Sequence, residues 1–224
     1  MATRPVFLVN SCFPYYSEVD VDFVYNQGFA PCQKKKNIIA IHGAFHKDHK
    51  DVNVLEISSK SFDETGVNLS AFNLQLYVKS LEKHMPVEVM YHVGKVFEKS
   101  GQHREMLDMT PRECKKYLFN NSFGKVDYFL FESQRVNTEN FCDFYNWLYI
   151  RALLENETLS RGLLEYQAFT DVEYNPNRSK NCQARSAAIF VSLFKLGKVY
   201  YGEELTFDRY KEITDKLNYV VWDA

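Results

Sequence analysis

The stretch 138-TENFCDFYNWLYIRALLE-155 constrains the fold most. Phe141, Phe144, Trp147, Leu148, Ile150 and Leu154 recur at the three- and four-residue spacing of one helical face. A helix carrying that much aromatic and aliphatic surface must bury it against the rest of the chain. A second segment, 183-QARSAAIFVSLFKLG-197, reads as a helix rich in small residues and closed by Gly197. Any fold for this chain has to pack these two segments.

Weaker signals fill the remainder. Residues 5–9, 20–25, 52–57 and 70–77 read as strands. Residues 33–48 and 85–99 read as helices, the second with Pro86 in its first turn and Val89, Val93, Val96 and Phe97 on one side. Thr110-Pro111-Arg112-Glu113 has the form of a capped helix start. Residues 158–166 and a polar tail at about 203–217 extend the helical content. The expectation is an α+β fold, predominantly helical with a few short strands. It forms one domain over residues 1–224, with a core at about 20–197.

Of the 224 residues, 46% are hydrophobic, enough for a sizeable core. The formal net charge of -2 rules out a molecule that grips nucleic acid with its whole surface, though a local basic patch stays open. Cys12, Cys32, Cys114, Cys142 and Cys182 are scattered and odd in number, which fits reduced thiols in a cytoplasmic protein. No apolar run approaches ~18 residues, so no membrane span is expected.

Several side chains could carry chemistry. Gln33-Lys34-Lys35-Lys36-Asn37 is a compact basic cluster: an anion site or a source of a nucleophilic amine, or simply a solvated helix start. His42, His46 and His49 share a helical face, but without an accompanying acid they read as surface histidines rather than a metal site. Glu88 sits in a first helical turn among apolar neighbours. It is either a dipole partner or a buried general acid or base. Lys95, seven residues on, would project from nearly the same face. Asp171 and Glu173 flank Val172 and would point the same way in an extended segment, as paired carboxylates acting on a ribose do. They could equally be turn and cap residues before Asn175-Pro176.

Five blocks carry a resemblance: 28-GFAPCQKKKNI-38, 66-GVNLSAFNL-74, 87-VEVMYHVGKVFE-98, 144-FYNWLYIRALL-154 and 168-AFTDVEYNPNRSKNCQARSAAIFVSL-193. In this order they resemble the NADAR superfamily, which includes the YbiA-like N-glycosidases, and within it the DarT-associated antitoxin branch. The resemblance implies a hydrolase of N-glycosidic bonds that removes ADP-ribose from guanine bases in DNA and so opposes a DarT-type toxin. ADP-ribose would be its product, and no metal or other cofactor is expected. The resemblance places Glu88, Lys34, Lys36 and Lys95 in catalytic positions. It places Gln33, Asn37, Ser70, Phe72, Asn73, Trp147, Asp171, Glu173, Asn175 and Asn181 near the ligand. His92 and Gly94 depart from the family, which tends to have Gln and a small hydroxyl residue or Ala there, and Tyr91 replaces a frequent Phe.

The chemistry adds one expectation. A ring-opened ribose offers an aldehyde-like carbon to a neutral amine, and mutual repulsion among Lys34, Lys35 and Lys36 makes that cluster the first source, with Lys95 second. Three other readings stand beside this one: an N-glycosidase for small nucleotides of riboflavin metabolism, a silent sensor of ADP-ribose or NAD, and an antitoxin that blocks its toxin by direct binding.

Overall fold

A computed structural model describes residues 1–215. Strands β1 (Ala2–Val9) and β2 (Tyr16–Phe23) form an antiparallel hairpin in which Val9 faces Tyr16 and Ala2 faces Phe23. Helix α1 (Pro31–Phe45) begins with a proline, whose missing N–H has no partner to lose in a first turn. β3 (Val54–Glu56), α2 (Glu64–Asn68), β4 (Gln75–Val78) and β5 (Lys83–Pro86) lead into α3 (Val87–Val93). β6 (Lys95–Phe97), β7 (Gly101–Gln102) and α4 (Pro111–Asn120) follow, then the hairpin β8 (Val126–Phe131) and β9 (Gln134–Asn137). α5 (Phe141–Glu155), α6 (Glu157–Ser160), β10 (Ala168–Thr170), α7 (Gln183–Lys195) and α8 (Phe207–Thr214) complete the described chain. The fold is α+β, as expected, with its strands in three small sheets.

The first sheet has the order β2-β1-β10-β3 and seats the cleft. β10 lies antiparallel to β1 and parallel to β3, which sets Thr170 opposite Glu56. The two parallel strands therefore end at one edge of the sheet, and the segments leaving them, Ser58–Lys60 and Asp171–Tyr174, emerge side by side. Gly66 packs against this edge so closely that an added Cβ would lie 2.0 Å from the Glu56 carbonyl oxygen.

The aromatic helix is buried on every side: all residues from Phe144 to Leu154 are inaccessible or nearly so. Its apolar stripe is wide because α3, α7, α8 and β4 all pack on it. Trp147 lies at its centre, and its indole N–H donates to the Leu205 carbonyl at 2.8 Å. α7 packs on α5, and Ser186 of α7 donates its hydroxyl to Asn146 Oδ1 of α5 at 2.8 Å.

The helix expected over 85–99 is in fact a two-turn helix followed by a strand. Lys95–Phe97 pair with β8, and the Leu130 N–H donates to the Gly94 carbonyl at 2.7 Å. Gly94 sits where a Cβ would meet the Phe144 ring at 2.8 Å, so it takes a side-chain-free residue for α3 to dock on α5. Local periodicity favoured continuation of the helix; pairing with a distant strand overrode it. The strand expected over 70–77 is confined to Gln75–Val78, because Ser70 and Asn73 close a turn through Asn73 N–H to Ser70 O, 2.8 Å. The capping box at Thr110 and Glu113 is present as expected. The tail helix is α8; of the stretch 203–217, residues 216 and 217 lie outside the described residues.

Candidate functional site

A cleft of about 900 Å³ opens where β3 and β10 end, between α1, α3, α4 and the start of α7. That volume is in the range of small-molecule sites. Seven basic and three acidic side chains line it, in a chain whose net charge is -2, so the cleft is prepared for an anion.

At its base lie four titratable side chains from three elements. Glu88, in the first turn of α3, is buried and accepts from Lys115 Nζ of α4 at 2.8 Å. His92, one turn on, brings Nε2 to 3.3 Å from the same carboxylate oxygen, a close contact without the alignment of a full hydrogen bond. Lys95, at the start of β6, places Nζ 3.2 Å from His92 Nδ1 and 4.6 Å from the centre of the Tyr91 ring. An ammonium can only donate, so His92 Nδ1 accepts and the imidazole proton sits on Nε2, facing Glu88.

Burial alone would raise the Glu88 pKa, but the His92 contact and the Lys115 ammonium outweigh it and bring it down to about 2. Burial lowers the Lys95 pKa to about 8; the Lys115 charge works in the same direction and Glu88 against it. Lys95 therefore gives up its proton more readily near neutral pH than a solvated lysine does. Burial also lowers His92, with the neighbouring lysines adding to it, which keeps the imidazole neutral. The base of the cleft thus holds a carboxylate, a neutral imidazole and an easily deprotonated amine in one line.

The opposite wall is built by the turn after β10. Asp171 Oδ1 accepts from the Glu173 N–H at 3.0 Å, so the pair lies in a turn rather than an extended strand, yet both side chains face the cleft. Beneath them Glu56 is almost inaccessible. It accepts from Thr170 Oγ1 at 2.6 Å and from the Val172 N–H at 2.8 Å, and so clamps the turn from below. Burial, and then the nearby Glu56 carboxyl, raises the Asp171 pKa well above the carboxylate range. Gln183, at the start of α7, accepts from the Ala71 N–H at 2.7 Å and donates to the Ile57 carbonyl at 2.7 Å, tying three walls together.

The residues expected at the site divide. Glu88, Lys95, Lys34, Ser70, Phe72, Asp171, Glu173 and Asn181 line the cleft. Lys34 is ion-paired with Glu173 at 2.9 Å, and Lys115 stands 4.8 Å above the Phe72 ring. Asn181 Oδ1 is buried without a hydrogen-bond partner. Lys36 is exposed and outside the lining, because successive helical residues turn by about 100° and Lys34 and Lys36 point to opposite sides. The same rotation sends Lys35 over the Phe62 ring, so the three ammonium groups do not converge. Asn37 is fully buried and clamps Asn26, accepting from its N–H at 2.7 Å. Trp147 is in the core, and Asn73 and Asn175 bond to local backbone, at Val67 O and Asn177 N–H. Gln33 is half-buried beside Gly28, outside the lining.

The sequence reading missed Lys115, Arg112, Tyr145 and Gln183, all in the lining. The capping box located the helix carrying Lys115 but not the face it turns to α3. The three histidines of α1 are engaged within the fold: His42 with Thr170 Oγ1 at 2.8 Å, His46 with the Val52 carbonyl at 3.0 Å, and His49 stacked on Phe45. Among the described residues no group of three or more His, Cys, Asp or Glu could hold a metal ion, and no helix is long and apolar enough to cross a membrane.

Compared with known families, the chain matches over residues 2–218 a model described as DarT1-associated NADAR antitoxin. No curated protein matches the chain.

Proposed function

The chain belongs to the DarT1-associated NADAR antitoxin family, and from that premise we propose that it hydrolyses the N-glycosidic bond between ADP-ribose and guanine in DNA. The observation that carries this reading is the line Glu88, His92, Lys95 at the base of a cation-lined cleft. A diphosphate-bearing ligand supplies the negative charge that the seven basic side chains call for, and the buried amine and carboxylate supply the means to open the N,O-acetal at the anomeric carbon.

The proposed steps use one water. Opening of the ribose ring, with a proton delivered to the ring oxygen, leaves an iminium at the anomeric carbon. The neutral Lys95 amine adds to that carbon, and guanine departs as its exocyclic amine, taking a proton. A Schiff base between Lys95 and ADP-ribose remains. Water adds to it, the amine leaves, and ADP-ribose is released. Glu88 stabilises the cationic states as a carboxylate, and His92, whose Nδ1 accepts from Lys95, takes the proton that Lys95 gives up. Lys34, expected from the sequence to come before Lys95 as the amine, takes second place here because its pairing with Glu173 withholds it. Asp171 and Glu173 face the cleft where ribose hydroxyls would donate to them.

The test is an oligonucleotide carrying ADP-ribose on guanine, incubated with wild type, Glu88→Ala and Lys95→Met, with borohydride added to parallel samples. Release by wild type alone, and a borohydride adduct mapped to Lys95, is the expected result. No release by wild type together with tight ADP-ribose binding would replace this reading with the sensor. An adduct at another lysine would displace Lys95.

A further inference from the structure

The rim of the cleft between α1 and the segment after β3 exposes two aromatic rings that the chemistry at the base does not use. Phe29 is 97% exposed and Phe62 58% exposed. Single exposed hydrophobic residues are ordinary, but these two stand among cations. Lys35 Nζ lies 5.0 Å over one face of the Phe62 ring. Lys60, two residues before Phe62, lines the cleft together with Phe29 and Lys34. The nearby acids are largely engaged inward: Glu173 pairs with Lys34 at 2.9 Å. Asp63 caps α2 through the Thr65 N–H at 2.8 Å and accepts from the Tyr166 hydroxyl at 2.9 Å. Glu64 is exposed on α2 and is the opposing charge of that segment.

Alternating exposed aromatic rings and lysines suit a chain of flat bases joined by phosphates. The depth of the cleft adds a second argument. Glu88 and His92 are buried, so a base-linked group can reach them only if its nucleotide is drawn out of a duplex stack. The strand flanking that nucleotide then crosses the rim unpaired.

Resting on the reading of the cleft as a site for a nucleotide-linked group, we propose that this rim is a platform for an unpaired nucleic-acid strand. A flanking base stacks on the open face of Phe62, and Lys35 and Lys60 meet the adjoining phosphates. Phe29 stands at the entrance, beside the path of the nucleotide into the cleft.

The test uses the full chain and a short, labelled, unmodified single-stranded oligonucleotide, with binding read by fluorescence anisotropy at two salt concentrations. Phe62→Ala combined with Lys35→Gln is expected to weaken binding about tenfold or more, and the salt dependence should become shallower. Phe62→Leu, which keeps apolar bulk but not the ring, should lose most of the Phe62 share. Cleavage of ADP-ribosyl-guanosine as a free nucleoside should be unchanged, because neither residue lines the cleft. Equal binding by wild type and the double variant overturns the platform. So does wild type that fails to bind the oligonucleotide, or binds duplex as well as single strand. If wild type cleaves neither the nucleoside nor modified DNA, yet strand binding falls on substitution, the platform stands and the reading of the cleft fails.

Discussion

Replacing Lys115 with glutamine should remove the cation beside Glu88 while leaving a side chain of similar length in the cleft lining. Lys115 Nζ lies 2.8 Å from Glu88 Oε1, and its side chain is 53% exposed where that of Glu88 is 8% exposed. Two unit charges at this distance, at an effective dielectric of about 20, attract by no more than about 6 kcal/mol. Screening and the freedom of a half-exposed lysine reduce that to about 1–2 kcal/mol. One pKa unit corresponds to about 1.4 kcal/mol, so Glu88 should rise by about one unit, from its value of about 2. The sign for stability follows from the depressed pKa. Glu88 is more acidic folded than unfolded, so its contribution is fully present above the unfolded value and is lost as pH falls through the folded one. The variant should therefore be about 1–2 kcal/mol less stable to urea at pH 7. That deficit should shrink as the pH falls through about 3 toward 2. The Glu88 carboxyl can be followed directly by side-chain carbon NMR. A Glu88 that still titrates near 2 in Lys115→Gln would refute the argument and assign the depression to His92, despite its poorer alignment.

Three further outcomes follow from the same geometry. Borohydride trapping of Lys95 with substrate should rise as pH increases through about 8, since burial lowers its pKa to that value; a rate independent of pH between 6 and 9 would remove Lys95 as the amine. Asp171→Ala should weaken ADP-ribose binding by about five- to thirtyfold, the loss of one or two hydrogen bonds, measured by calorimetry; an unchanged dissociation constant would make Asp171 a turn residue only. Gly66→Ala should cost at least about 2 kcal/mol in urea unfolding, because the new Cβ would meet the Glu56 carbonyl at 2.0 Å and Ser61 Oγ at 2.5 Å. A midpoint like that of wild type would contradict the packing beside β3.

Short-range signals along the chain settle which segments must be buried and where several of them begin. The aromatic spacing of Phe144, Trp147 and Leu148 required a core helix, Gly197 ended α7, and Thr110 with Glu113 started α4, because these signals act over one or two turns. The family motifs marked Glu88, Lys95, Asp171 and Glu173, all of which the fold gathers in one cleft. Other residues of the motifs lie away from the cleft, and the interaction that placed them often came from elsewhere in the chain. Trp147 and Asn37 sit in motifs but serve packing, one bonded to Leu205 and the other to Asn26. Lys95 left its helix because β8 offered it a partner. Lys115 met Glu88 because α4 packs on α3. Local propensity and patterning are written in neighbouring residues. The tertiary structure alone decided which charges face each other across the cleft, because an ion pair or a strand pairing depends on distances that separation along the chain does not fix.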